Sequence, residues 1–129
     1  MIDHVGMPVR DIGRATAFYL KALKPLGIGL IMEIPAEFTG SGPAAGFGAD
    51  NKPFFWIGEA PVAEGSHVHV AFTAGSRADV DVFYQAALAA GAKDNGAPGL
   101  RPHYHANYYG AFGLDPDDNN IEAVCHAPD

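Results

Sequence analysis

Three residues stand out for the chemistry their types allow: His4 in HVGMPV, His69 in HVAF and Glu122 in NIEAV. Two imidazoles and one carboxylate suit Fe(II), Mn(II), Zn(II), Ni(II) or Co(II), and a set of three leaves coordination positions open for a substrate. Taken singly, each is more often a surface or hydrogen-bonded group. What lifts them is that a histidine recurs at matching places in the two halves of the chain.

Alternation along extended chain tells which side chains share a face. On a first strand His4 lies with Ile2 and Gly6, opposite Val5, Met7 and Val9; on a fifth, His67, His69 and Ala71 oppose Val68, Val70 and Phe72. A last strand sets Asn120, Glu122, Val124 and His126 against Ile121, Ala123 and Cys125. In each, the second set suits packing beneath a helix. A sheet curled around the other face would gather His4, His69 and Glu122. His67 competes with His69 for the ligand role, because both project from one face two residues apart.

The stretch RPHYHANYYG, residues 101–110, concentrates His103, Tyr104, His105, Tyr108 and Tyr109. As plain structure it is an exposed aromatic loop; as a functional element it is a wall or lid whose imidazoles and phenols donate hydrogen bonds, move protons and stack on an organic ligand. Tyr109 is the first choice to face the site beside Ala111, and His105 or Tyr109 the candidate to give or take a proton. Trp56, with Phe55, is a candidate apolar wall. His103, Tyr108 and His67 complete the candidate substrate contacts.

The elements that must position these residues emerge from internal self-similarity. At a constant offset of 65, His4 matches His69, Val5 matches Val70, Phe18-Tyr19 match Phe83-Tyr84, and Ala22-Leu23 match Ala87-Leu88. Each copy opens with an alternating run and then changes to helical spacing. In the first, Ile12, Ala15, Tyr19, Ala22 and Leu26 form the stripe, with Asp11 as N-cap and Gly27 as stop; in the second, Ser76 caps, Val80, Phe83, Ala87 and Ala90 form the stripe, and Gly91 ends it. Helices are thus expected near 11–24 and 76–91. Three short strands follow each: IGLIMEI, AAGFGA and PFFWIG, then a weak strand near 93–100, YYGAFGLD and NIEAVCH. The expectation is one α+β domain of two βαβββ modules, 1–61 and 65–129.

Composition narrows the functions. The chain has 129 residues, 48% of them hydrophobic, which is enough for a real core and against disorder. Eight Lys and Arg against fifteen Asp and Glu give a net charge of −7, a poor match to nucleic acid, whose binding rests on neutralised phosphates. No stretch approaches a membrane span and the amino terminus lacks a leader pattern, so the expected location is the cytoplasm. The single Cys125 sits in an alternating apolar run and is expected to be buried rather than reactive.

The duplicated unit, with its histidines in HVGMPV and HVAF and the late carboxylate in DPDDNNIEAV, resembles the vicinal-oxygen-chelate superfamily of glyoxalases, extradiol dioxygenases, fosfomycin-resistance enzymes and bleomycin-binding proteins. The resemblance covers essentially the whole chain. It implies a curled, cup-shaped mixed sheet, as in the glyoxalase/bleomycin resistance/dihydroxybiphenyl dioxygenase-like fold, with a divalent metal inside near His4, His69 and Glu122. It also implies a small-molecule substrate and paired modules, hence a homodimer, with cups completed within one chain or between two.

Two departures from the family pattern bear on function. Asp118 stands where the DPDxN turn usually has Gly, and Asp tolerates the left-handed region better than most residues. On the fourth strand, where glyoxalase I-like proteins carry a further ligand, the matching position falls on or next to Trp56, and Glu59 lies beyond it on the wrong parity. That argues against glyoxalase I itself. The leading expectation is a metal-dependent enzyme acting on a substrate with two adjacent oxygen donors, by dioxygenase, lyase, isomerase or transferase chemistry. Its rivals are a metal-free sequestering protein of the bleomycin-resistance type, and a structural or regulatory homologue that keeps remnants of an ancestral site.

Overall fold

The computed structural model describes residues 1–128. Strands β1 (Val5–Val9), β2 (Gly29–Ile34), β3 (Ala44–Ala49) and β4 (Lys52–Glu59) form one sheet, in the order β1-β4-β3-β2. Strands β5 (His69–Thr73), β6 (Lys93–Leu100), β7 (Tyr109–Leu114) and β8 (Asn120–Cys125) form the second, in the order β5-β8-β7-β6. In each sheet the first strand pairs in parallel with the last and the other pairings are antiparallel. This is the α+β architecture expected from the repeat.

Helix α1 (Ile12–Ala22) crosses from β1 to β2, and α3 (Arg77–Ala89) crosses from β5 to β6; a single-turn helix, α2 (Ala36–Thr39), lies between β2 and β3. The caps are those the sequence offers. Asp11 accepts from Arg14 N and Ser76 from Asp79 N, each satisfying one orphan donor for about 1 kcal/mol. Glu59 accepts from Ile12 N at 3.0 Å, which explains this acidic residue as a second cap on α1. The first helix stops earlier than its stripe suggests. Pro25 has no N–H and disfavours helical backbone at Lys24, so Lys24–Leu26 tightens into a 3-10 turn that ends on Gly27 at φ 75°, taking Leu26 out of the helix.

The helix-covered faces of both sheets share one core. Ala15, Phe18, Tyr19 and Ala22 of α1 and Val80, Phe83 and Ala87 of α3 meet Met7, Val9, Ile57, Ile121 and Ala123 from the strands. Phe55 and Phe72 join the halves edge to face with centroids 5.2 Å apart. Phe55 is therefore core, and it also lines the cavity between the two halves. Cys125 is buried there as well.

The turn between β7 and β8 is a polar knot. Asp115 Oδ1 accepts from Asp117 N and Asn119 N, and its Oδ2 from Asn119 Nδ2 and from the hydroxyl of Tyr19 on α1. Asp118 sits at φ 65°, in the left-handed region that its side chain tolerates. Asn119 Oδ1 then accepts from Val68 N at 2.9 Å, just before β5 begins. The motif thereby fixes where β5 lies against β8.

Candidate functional site

That pairing puts His69 opposite Asn120 and Ala71 opposite Glu122, so the side chains of His69 and Glu122 are diagonal neighbours on the open face of the second sheet. His69 Nε2 lies 2.8 Å from Glu122 Oε1. Glu122 is 1% exposed, whereas the His69 side chain is 53% exposed. The other carboxylate oxygen, Oε2, accepts from the hydroxyl of Tyr108. Loss of water around the phenol and the adjoining carboxylate push the Tyr108 hydroxyl up to about 12, so it is a donor at neutral pH.

Tyr108 is the middle member of a chain of rings. Tyr104 and His126 lie edge-on to it at 5.1 and 5.2 Å, His105 lies 5.5 Å from His126, and His103 lies 4.1 Å from Tyr104. Residues 101–108 close on themselves, with Arg101 N donating to Tyr108 O at 2.7 Å and Tyr108 N donating to His105 O at 3.1 Å. Of these residues only Tyr108 touches Glu122; His103 and His105 connect to Tyr108 through Tyr104 and His126.

Tyr109 is not part of this wall. Tyr109 pairs across from Cys125, so it falls on the helix-covered face, where its hydroxyl donates to Asp81 of α3 at 2.6 Å and Arg77 covers its ring. The expectation that it points into the cup is corrected by one residue, and Tyr108 holds that place. His67 lies outside β5, exposed, with Nδ1 3.0 Å from the Gly65 carbonyl, while His69 opens the strand and meets the carboxylate.

His4 precedes β1 and is exposed; its Nδ1 is 2.7 Å from Asp3 Oδ1, which also accepts from Lys52 at 2.8 Å. It does not join His69 and Glu122 within the chain, and no group of three metal-type ligands forms among the described residues. His4 and His69 do border one cavity of about 600 Å³, whose lining is mostly apolar, with Leu26, Ile28, Phe54 and Val70, and includes Asp3 and Thr73. An imidazole nitrogen beside a buried carboxylate is a donor pair that fits a first-row divalent ion, with Nδ1 of His4 tied to Asp3 so that its Nε2 is left free.

On the first sheet, Gly6 and Gly46 flank Trp56 in register. A Cβ at Gly46 would come within 2.8 Å of the indole, so the ring lies flat over glycine on the open face. Two members of the second open face escaped the sequence reading. Phe112 pairs across from Glu122, 6.2 Å from the His69 ring, and the Arg101 guanidinium lies 5.4 Å above it, its N–H groups donating to Ala97 and Gly99 carbonyls. The period-2 pattern of Gly110 and Phe112 would have found the phenylalanine once the β7–β8 register was known. Arg101 has no local signal.

Two repeated strand–helix–three-strand units, each with an open face and the second holding a histidine–carboxylate pair, define the glyoxalase class of fold. The sequence bears this out, because residues 1–123 match the Glyoxalase/Bleomycin resistance protein/Dioxygenase superfamily, and the chain belongs to that family. No curated protein matches it. Among solved structures, a glyoxalase/bleomycin resistance protein from Albidiferax ferrireducens is 26% identical, with TM-score 0.75 over 97% of this chain and 98% of that one. The fosfomycin resistance protein FosX from Listeria monocytogenes, a glutamate-to-glutamine mutant complexed with Mn(II) and 1S,2S-dihydroxypropylphosphonic acid, is 17% identical, with TM-score 0.69 over 96% and 88%. Glyoxalase I from Zea mays, also as a glutamate-to-glutamine mutant, is 22% identical with TM-score 0.71; the alignment covers 95% of this chain and 46% of that one.

Proposed function

We propose that the protein is a metal-dependent enzyme acting on a small organic molecule with two adjacent oxygen donors. The observation that carries the reading is the 2.8 Å approach of His69 Nε2 to Oε1 of the buried Glu122 on an open sheet face. His69 and Glu122 would hold a divalent ion, and His4 is the third ligand. Because His4 does not join His69 and Glu122 in a group of three ligands among the described residues, we place it in the cup of a second copy, so that a homodimer completes each site. A metal held there would supply Lewis-acid binding of both substrate oxygens and stabilise charge developing on them.

The chain's own groups do the rest. Trp56 and Phe112 give the flat apolar contacts that orient an organic substrate and exclude water. His105, near the rim beside His126, is the candidate to give or take a proton, and His103 and Tyr104 line the approach. Dioxygenase, lyase, isomerase and transferase chemistry are all open to a Lewis-acid metal held by such a set. Trp56 in place of a further carboxylate favours those that need no fourth protein ligand as a base.

One observation favours a second reading, a metal-free protein that sequesters its ligand. Both oxygens of Glu122 already have partners, His69 and Tyr108, so its burial is compensated without a cation. Elemental analysis of protein purified without an affinity tag decides between the two, together with calorimetric titration of Mn(II) into the wild type and Glu122→Gln. Stoichiometric metal that the substitution abolishes supports the enzyme; no uptake by the wild type leaves the binding protein.

A further inference from the structure

We propose that Tyr108 is a positioning residue for Glu122, holding Oε2 so that Oε1 is presented beside His69 in one fixed orientation to a divalent ion. This rests on the metal-dependent reading above and adds to it a residue outside the ligand set.

A buried carboxylate with only one partner could rotate about its last torsion, presenting either oxygen or both. Here each oxygen has a different partner, so rotation breaks a hydrogen bond to a charged group in a setting where that bond is strong. Tyr108 is itself held, its main chain by two hydrogen bonds and its ring by two neighbouring rings. Its backbone carbonyl accepts from Arg101 N, its N–H donates to His105 O, and the rings of Tyr104 and His126 flank it. Room for it depends on Gly110. A Cβ there would lie 3.2 Å from both Glu122 Oε2 and Tyr108 Cε1, pushing between the two groups that meet. Glycine on this strand thus clears the path from phenol to carboxylate.

Outer partners of this kind fix ligand orientation, and losing one typically weakens metal binding by about 10- to 100-fold. The alternative is that Tyr108 blocks the site, and that metal must displace it. The two differ in sign.

The test is Mn(II) binding to the purified full chain, followed by the loss of the free-ion EPR signal, with circular dichroism to show that each variant is folded. The wild type should bind, Glu122→Gln should not, and Tyr108→Phe should bind about tenfold more weakly or worse, with a broadened spectrum for the bound ion. Gly110→Ala keeps the phenol but crowds its meeting with Oε2 by a few tenths of an ångström, and should weaken binding in the same direction; it serves if Tyr108→Phe does not fold. Equal or tighter binding by folded Tyr108→Phe or Gly110→Ala overturns the positioning role alone. Failure of the wild type to bind Mn(II) overturns the metal-dependent reading, and this proposal with it.

Discussion

Trp56 and Glu122 occupy equivalent places in the two sheets: Trp56 pairs with Gly6 of β1 as Glu122 pairs with Ala71 of β5, and Gly6 matches Ala71 at the offset of the repeat. The same position of a duplicated unit therefore carries a carboxylate in one half and an indole in the other. A site assembled from both halves would have an acidic wall and an aromatic wall. Trp56→Glu should restore a symmetric pair of carboxylates and tighten Mn(II) binding, measured by calorimetry. Unchanged affinity would show that Trp56 does not face the ion.

Whether His4 comes from a second chain is decided by mixing. His4→Ala and Glu122→Ala should each lose metal binding alone, whereas a refolded mixture should regain one site in each mixed dimer, because one chain still offers His4 and the other still offers His69 and Glu122. No recovery in dimers shown to be mixed would mean that each site lies within a single chain. His67→Ala should leave binding intact throughout, since His67 lies in the exposed loop before β5.

The Tyr19–Asp115 hydrogen bond ties α1 to the β7–β8 turn, and burial, followed by the Asp115 charge, raises the Tyr19 hydroxyl well above its ordinary value. Its neutral form is thus favoured in the folded state. The sign follows: this stability is fully present below about pH 10, the value of an unfolded tyrosine, and is lost as pH rises from there toward the higher folded value. Tyr19→Phe should cost about 1–3 kcal/mol in urea melts at neutral pH, yet flatten the loss of stability above pH 10. A variant as steeply alkali-sensitive as the wild type would place the effect elsewhere.

Gly46→Ala should disturb the first sheet's open face, because its Cβ would strike the Trp56 ring at 2.8 Å. Because the indole is half-buried on an open face, tilting it should cost about 1 kcal/mol, the low end of the overpacking range, read as a slightly lower melting temperature with a shifted tryptophan emission. Emission and stability like those of the wild type would count against the flat stacking described.

Sequence alone determined the architecture, since the repeat of strand period, helix period and capping residues is local information. His4 against His69, Asp11 and Ser76 as caps, and the left-handed Asp118 all follow from chemistry within a few residues of each position. It also brought His69 and Glu122 to one face, because parity survives any correct strand pairing. Tertiary structure decided the rest. A one-residue change in where β7 begins to count turns Tyr109 to the helix and gives Glu122 to Tyr108, and no periodicity in an aromatic-rich loop distinguishes the two. Pro25 cut the first helix short, and the start of β1 after His4 left that histidine to Asp3. Phe112 and Arg101 reached the open face only through strand register and a fold of the loop backbone, interactions between segments far apart in sequence that no local pattern encodes.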